Sequence, residues 1–138
     1  MNYWLVKFAP FRYSWSDVLR NGRFEIYGVR NAQARNNLRA MELNDEVLFY
    51  HSQQGNEIMG LMEVTYEAHQ DSTTTDERWL SVTFEPVESF ENPVSLFTIK
   101  NNEQLQNIGL VKQQRLAVMP LTKHEFEVIK LLAKPNLQ

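Results

Sequence analysis

Flat rings and cations alternate at the start of this 138-residue chain. Tyr3, Trp4, Phe8, Phe11, Tyr13, Trp15, Phe24 and Tyr27 are half of its sixteen aromatic side chains, and Lys7, Arg12, Arg20 and Arg23 lie among them. Rings stack on nucleobases, at about 1–3 kcal/mol per base, while ammonium and guanidinium groups hold phosphate. A strand or a helix also supplies rings to a core. The cluster therefore carries this reading, and no single ring does.

A second concentration is "VRNAQARNNLRAM", residues 29–41, with three arginines and three asparagines in thirteen positions. With Asn31 as N-cap, a helix here would offer unpaired N–H groups and a partial positive charge to an anion. An asparagine amide also sets a donor beside an acceptor, the pairing that a base edge needs. At about 100° per residue, Ala34, Leu38 and Met41 share one face and Arg35 and Arg39 lie away from it. The spacing fits a solvated helix face with a capping asparagine equally well.

Other chemistries find less support. In "FYHS" (49–52) neighbouring residues on a strand point to opposite faces, so His51 and Ser52 do not form a Ser–His catalytic pair, and no nucleophile elbow is present. His51, His69 and His124 show no metal-ligand spacing, and the chain has no cysteine. The five glycines form neither a G-x-G-x-x-G nor a Walker loop. No metal and no cofactor is expected. The lack of cysteine also excludes a disulfide scaffold and fits a reducing compartment, so the cytoplasm is the expected address. Neither a signal peptide nor a membrane span is legible.

The net charge of −3 conceals a gradient: residues 1–40 carry +5, residues 41–100 carry −10 and the remainder +2. A protein that grips duplex DNA by charge alone is usually basic overall. Contact with nucleic acid would here need a local basic rim, with the acidic middle turned elsewhere.

These groups need a scaffold, and the hydropathy pattern outlines one. "YWLVKF" (3–8) reads as a strand, and Ser14 caps a short helix "WSDVLRN" that ends at Gly22. Strand-like runs at 47–52, 57–69 and 78–90 suggest an antiparallel meander, with the polar loop 70–77 as a mobile surface connection. Residues 95–110 read as one or two short helices and 115–121 as a strand. Residues 122–134 read as a closing helix with a Thr122/Glu125 capping box. With 43% hydrophobic residues, no repeat and no linker, residues 1–138 are expected to form a single α+β domain, a small barrel with helices around it.

The order "YWLVK" then proline, "GVRNAQARNNLRAM", an acidic turn, "VLFYHS", "GLMEV" and "RLAVMPLT" resembles the EVE domain family, a branch of the PUA-like superfamily, over residues 3 to about 126. The resemblance implies a PUA-like fold, a small and mostly antiparallel β-barrel surrounded by short helices. It further implies a non-catalytic module that binds DNA or RNA carrying a modified base, flipped into a pocket, with modified cytosine in DNA the favoured class.

The family's motif positions fall on Trp4, Lys7, Gly28 to Asn31, Arg35, Asn36, His51 and Ser52. Lys7, Arg30, Arg35 and Arg39 would then meet phosphate or form the rim, Asn31 would cap or read an edge, and His51 and Ser52 would hydrogen-bond the base. The chain departs from the family pattern at Phe8 and Ala9, where Ser-Glu is usual. It departs again at Ile26 and Tyr27, where Trp-Asp is usual, and at Ala32 in place of Tyr. Phe8, Trp15 and Tyr27 are the candidate replacement rings. A small-molecule-sensing or protein-interaction module on the same fold is the alternative, and a nucleotide-modifying enzyme using His51 or Glu57 a further one. The binding reading expects Trp15, Arg30, Asn31 and His51 to converge on one concavity wide enough for a planar ring.

Overall fold

The computed structural model describes residues 1–135. Strand β1 (Tyr3–Phe8) lies inside a six-stranded sheet, flanked by β3 (Glu46–His51) in parallel and β6 (Val118–Leu121) in antiparallel. That interior position explains why its side chains are buried on both faces, as Trp4, Leu5, Val6 and Phe8 are. Strands β4 (Glu57–Gln70) and β5 (Leu80–Ser95) continue from β3 as antiparallel neighbours, the expected meander, and β5 also pairs with the two-residue β2 (Phe24–Glu25). The order is β2-β5-β4-β3-β1-β6.

The sheet does not close into the expected barrel. Closure would require β6 to pair with β2, and both edges are short. Pro120 lacks an N–H, and the Val118 carbonyl on the outer edge of β6 already accepts a hydrogen bond from Asn37 Nδ2 at 2.7 Å. Asn37 lies on helix α2 (Ala32–Ala40), so that helix covers the edge which a closing strand would need.

Local signals place the helices. Helix α1 (Trp15–Asn21) starts at the Ser14/Asp17 capping box and stops at Gly22 in the left-handed region, with φ of 73°. It turns Trp15 onto Gly60 of β4, where the indole lies too close to leave room for a β-carbon. Helix α2 starts where the Asn31 side chain accepts the Ala34 N–H at 2.9 Å, and it buries Ala34 and Leu38. Helix α3 (Leu96–Lys100), a 3-10 turn (Glu103–Leu105) and α4 (Gly109–Lys112) fill the segment after β5. Helix α5 (Lys123–Leu132) opens with the expected Thr122/Glu125 box. Among the described residues no helix is long and apolar enough to cross a membrane.

The loop after β4 runs over the surface, and its first residues are anchored to the Gly28–Asn31 segment. Asp71 is 0% exposed. Its carboxylate accepts from the Gly28 N–H (2.8 Å), the Thr73 N–H (2.8 Å), the Thr73 hydroxyl (2.6 Å) and Arg30 Nη1 (3.1 Å). Burial opposes the charge, but the bonds from Thr73, Gly28 and Arg30 outweigh it and draw the carboxyl down to about 2. The loop thus fixes the Gly28–Asn31 segment that leads into α2.

Candidate nucleic-acid interface

Strands β1 and β3 run in parallel and end together at Phe8 and His51. A groove opens beyond those ends, between the Gly28–Asn31 segment on one side and α3, α4 and the approach to β6 on the other. It has two lobes that share Lys7, Phe8, Arg12, Arg115 and Ala117. One, of about 290 Å³, is bounded by Tyr27, Gly28, Val29, Arg30, Asn31 and Ala34. The other, of about 540 Å³, is bounded by Tyr50, Ser52, Gln53, Asn56, Lys100 and Gln114, among others. Ligand pockets commonly measure about 300–1,000 Å³, so both lobes are on that scale.

The smaller lobe is lined with rings. Phe8 and Tyr27 meet edge to face at 5.2 Å, and the Arg12 guanidinium lies 4.3 Å from the Phe8 centroid and 4.8 Å from that of Tyr27. Gly28, with φ of 75°, lets that guanidinium approach, since a β-carbon there would stand 2.7 Å from Arg12 Nη2. Buried Phe8, Val29 and Ala34 give the lobe an apolar floor.

The larger lobe is cationic. Lys7, Arg12, Lys100 and Arg115 line it, no Asp or Glu does, and none of the four forms an ion pair among the described residues. Lys7 stands opposite Tyr50 in the parallel register, so both side chains leave the same face of the sheet. Lys7 Nζ donates to the Gln114 carbonyl at 2.6 Å, and burial lowers its pKa. Burial pushes the Tyr50 phenol up to about 12, so it stays protonated at neutral pH.

The structure divides the residues expected at the site. Lys7, Phe8, Tyr27, Arg30, Asn31 and Ser52 line the groove. Trp4, Trp15 and His51 do not, and each has a partner elsewhere. Trp4 Nε1 donates to buried Asp45 at 3.0 Å. Burial opposes the charge on Asp45, but N–H bonds from Asn2, Glu42 and Trp4 prevail and keep its pKa low. His51 Nε2 accepts the Trp15 backbone N–H at 2.9 Å, and the Trp15 indole donates to Ser89 Oγ at 2.9 Å. Strand alternation is the reason: Tyr50 faces the lobe, so His51 faces Phe49 and Trp15. Of the four residues expected to converge, only Arg30 and Asn31 meet at one lobe. Arg35, Asn36 and Arg39 form a chain on the outer face of α2, where Asn36 Oδ1 accepts from both arginines.

Sequence reading named Arg12 only as one cation of the opening cluster and missed Tyr50, Lys100, Gln114 and Arg115 in the groove, and Trp79 beside it. The Trp79 indole lies 5.6 Å from the guanidinium groups of Arg30 and Arg35 and 5.5 Å from that of Arg78. The net charge of +2 over residues 101–138 was the signal for Arg115. The departures from the family pattern also separate: Phe8, Ala9 and Tyr27 line the groove, Ile26 is core and Ala32 is exposed on α2. Among the described residues no three His, Asp or Glu side chains gather as a metal site.

The EVE domain model matches residues 2–132. Mouse thymocyte nuclear protein 1 is 34% identical over an alignment that takes in 93% of this chain and 72% of that protein. A crystal structure of a protein from Agrobacterium tumefaciens superposes with a TM-score of 0.92 at 42% identity, covering 98% of this chain and 97% of that one. Human THYN1 protein in complex with DNA containing 5-methylcytosine superposes with a TM-score of 0.92 at 30% identity, covering 99% and 100%.

Proposed function

From a chain that belongs to the EVE domain family, we propose that residues 1–138 act as one non-catalytic module that binds nucleic acid by accepting a single extruded, modified base in the ring lobe. The observation that carries the reading is a groove in which Phe8 and Tyr27 stand beside five cations, Lys7, Arg12, Arg30, Lys100 and Arg115, with no carboxylate in the lining. DNA with 5-methylcytosine is the first ligand to test, since human THYN1 protein is found with such DNA. RNA with a modified base is the second. The cysteine-free composition keeps a reducing compartment such as the cytoplasm within the proposal.

Extruding a base costs a few kcal/mol, and stacking offsets most of it at about 1–3 kcal/mol per ring contact. The entering base takes the place that Arg12 holds against Phe8 and Tyr27, and the exposed Arg12 swings toward the strand. The Asn31 side-chain Oδ1 is committed to the Ala34 N–H, which leaves the side-chain NH₂ to donate to a base edge. Ser52 at the groove wall can donate or accept. Arg30 sits at the rim, held by Asp71, and Arg35, Asn36 and Arg39 are outer contacts. Trp4, Trp15 and His51 support this groove from within the fold.

What supports binding over catalysis is the state of the candidate acid–base groups. His51 Nε2 is committed to Trp15, Tyr50 is held protonated, and Glu57 lies outside both lobes. A methyl group buried on Phe8, Val29 and Ala34 contributes about 0.8 kcal/mol, or about fourfold in affinity. Titration of one duplex with and without a single 5-methylcytosine should therefore show a few-fold preference for the methylated form, and Tyr27→Ala should weaken it. Equal, weak binding to both duplexes would overturn the modified-base reading.

A further inference from the structure

We propose that the cationic lobe is a phosphate seat, in which Lys100 and Arg115 hold the phosphodiester next to the extruded nucleotide; this rests on the base-binding reading above and assigns the backbone grip to a different place from helix α2. The two lobes share a wall at Lys7, Phe8, Arg12, Arg115 and Ala117. A ligand that fills both must join a flat ring to an anion over a short distance, and a nucleotide has that form. Both lobes are open to solvent, so neither encloses its occupant.

The donors fit this occupant. Lys100 and Arg115 are exposed, and their side-chain nitrogens have no hydrogen-bond or ion-pair partner among the described residues. Lys7 uses one of its three N–H donors on Gln114, and Arg12 uses one of its five on the Tyr27 carbonyl at 3.4 Å. A half-buried ammonium such as Lys7 gains most from an anion brought beside it. The wall between β3 and β4 adds amides at Gln53 and Asn56, each held in the left-handed region with φ of 68° and 52°.

By contrast, the arginines on and before α2 are engaged with each other's neighbours. Arg30 is paired to Asp71, and Arg35 and Arg39 share Asn36. Arg78, the third cation at Trp79, is held by Asp76. Among the cations that line the groove or flank it at α2 and Trp79, Lys100 and Arg115 are thus the two whose side chains have no partner among the described residues.

The test pairs a protein change with a DNA change. One duplex carries a single 5-methylcytosine, and a second carries the same base with an uncharged methylphosphonate at each flanking phosphate. Lys100→Gln with Arg115→Gln should weaken binding to the first duplex by about tenfold and reduce the salt slope by about two, because both side chains are exposed and the fold should persist. The methylphosphonate duplex should bind wild type more weakly by a similar factor and lose little more on the double substitution, since the partners are then already gone. A double variant within twofold of wild type, or losses on the two sides that simply multiply, would overturn the phosphate seat. If wild type binds methylated and unmethylated duplexes alike, the modified-base reading falls while this cycle still reads the backbone grip. Competition by inorganic phosphate that equals the loss from both substitutions would assign the lobe to free phosphate and also overturn it.

Discussion

Helix α2 and the segment before it present Arg30, Arg35 and Arg39 within ten positions. The cationic lobe draws Lys7, Arg12, Lys100 and Arg115 from both ends of the chain. The first group is conspicuous in the sequence and largely satisfied in the fold: Arg30 is tied to a buried carboxylate, and Asn36 accepts from Arg35 and Arg39. The second is scattered along the sequence; in space Lys100 and Arg115 have free side chains, and Lys7 and Arg12 keep spare donors beyond one bond each to a backbone carbonyl. What separates them is the partner each cation meets, since a donor already engaged has less to gain from a ligand. Local density of arginine is therefore a poor measure of where an anion will sit.

The largest effect should come from removing the partner that makes the first group what it is. Asp71→Ala removes the buried carboxylate that the part-buried Gly28 and Thr73 N–H groups and Arg30 all donate to. Hydrogen bonds to a charged group contribute about 1.5–3 kcal/mol each, less where water can replace the acceptor, so a loss of about 2–4 kcal/mol in urea denaturation is expected. Base discrimination should fall with it, because Gly28–Asn31 forms one side of the ring lobe. A variant as stable as wild type would mean that the anchoring of this segment does not depend on Asp71.

Acid gives a smaller version of the same break. The folded pKa of Asp71, about 2, lies below its ordinary value of 3.8. The folded state therefore binds the proton less readily than the unfolded one, and the stabilisation is complete above about pH 4 and fades as pH falls toward about 2. The span corresponds to about 2 kcal/mol. Comparing wild type with Asp71→Asn at pH 5 and pH 2 isolates this term from other carboxylates: the gap between them should narrow by about that amount. A gap that stays constant would show that the Asp71 charge does not contribute to stability.

How much of this was legible follows from how far each signal reaches along the chain. Ser14 with Gly22, Asn31, and Thr122 with Glu125 announced α1, α2 and α5, because caps act within three or four residues. The groove residues written close together, Lys7 with Phe8 and Tyr27 with Arg30 and Asn31, were legible for the same reason. Lys100 and Arg115 were not, because only the packing of α3 and the approach to β6 against the end of β1 brings them beside Lys7. His51 and Trp15 were misplaced by type: an imidazole and an indole look like ligand contacts, yet each found an internal partner across the fold. Strand alternation in "YHS" already held the correction, since it allows either Tyr50 or His51 to face the groove but not both. The open sheet was beyond reach from local pattern, as it depends on Asn37 meeting the Val118 carbonyl. The anchored loop had one local clue, Asp71 followed two positions later by Thr73, a spacing suited to a carboxylate that accepts from its own turn.

The smallest effect sharpens the comparison most. Arg35 and Arg39 lie on the outer face of α2, bridged by Asn36, with Arg35 also beside Trp79. They keep their charge, because Asn36 is neutral, so they still attract a phosphate backbone at long range. Without a direct seat, that attraction is screened over about 8–10 Å at ordinary salt. Arg35→Ala with Arg39→Ala should weaken binding by only about twofold near physiological salt, slow association more than it speeds dissociation, and leave methyl discrimination intact. The Lys100→Gln, Arg115→Gln protein should instead lose its affinity mainly through faster dissociation. Measured side by side in one salt series, the two variants carry the same change in net charge. Whole-molecule electrostatics therefore predicts equal losses for them, whereas a built phosphate seat predicts unequal ones.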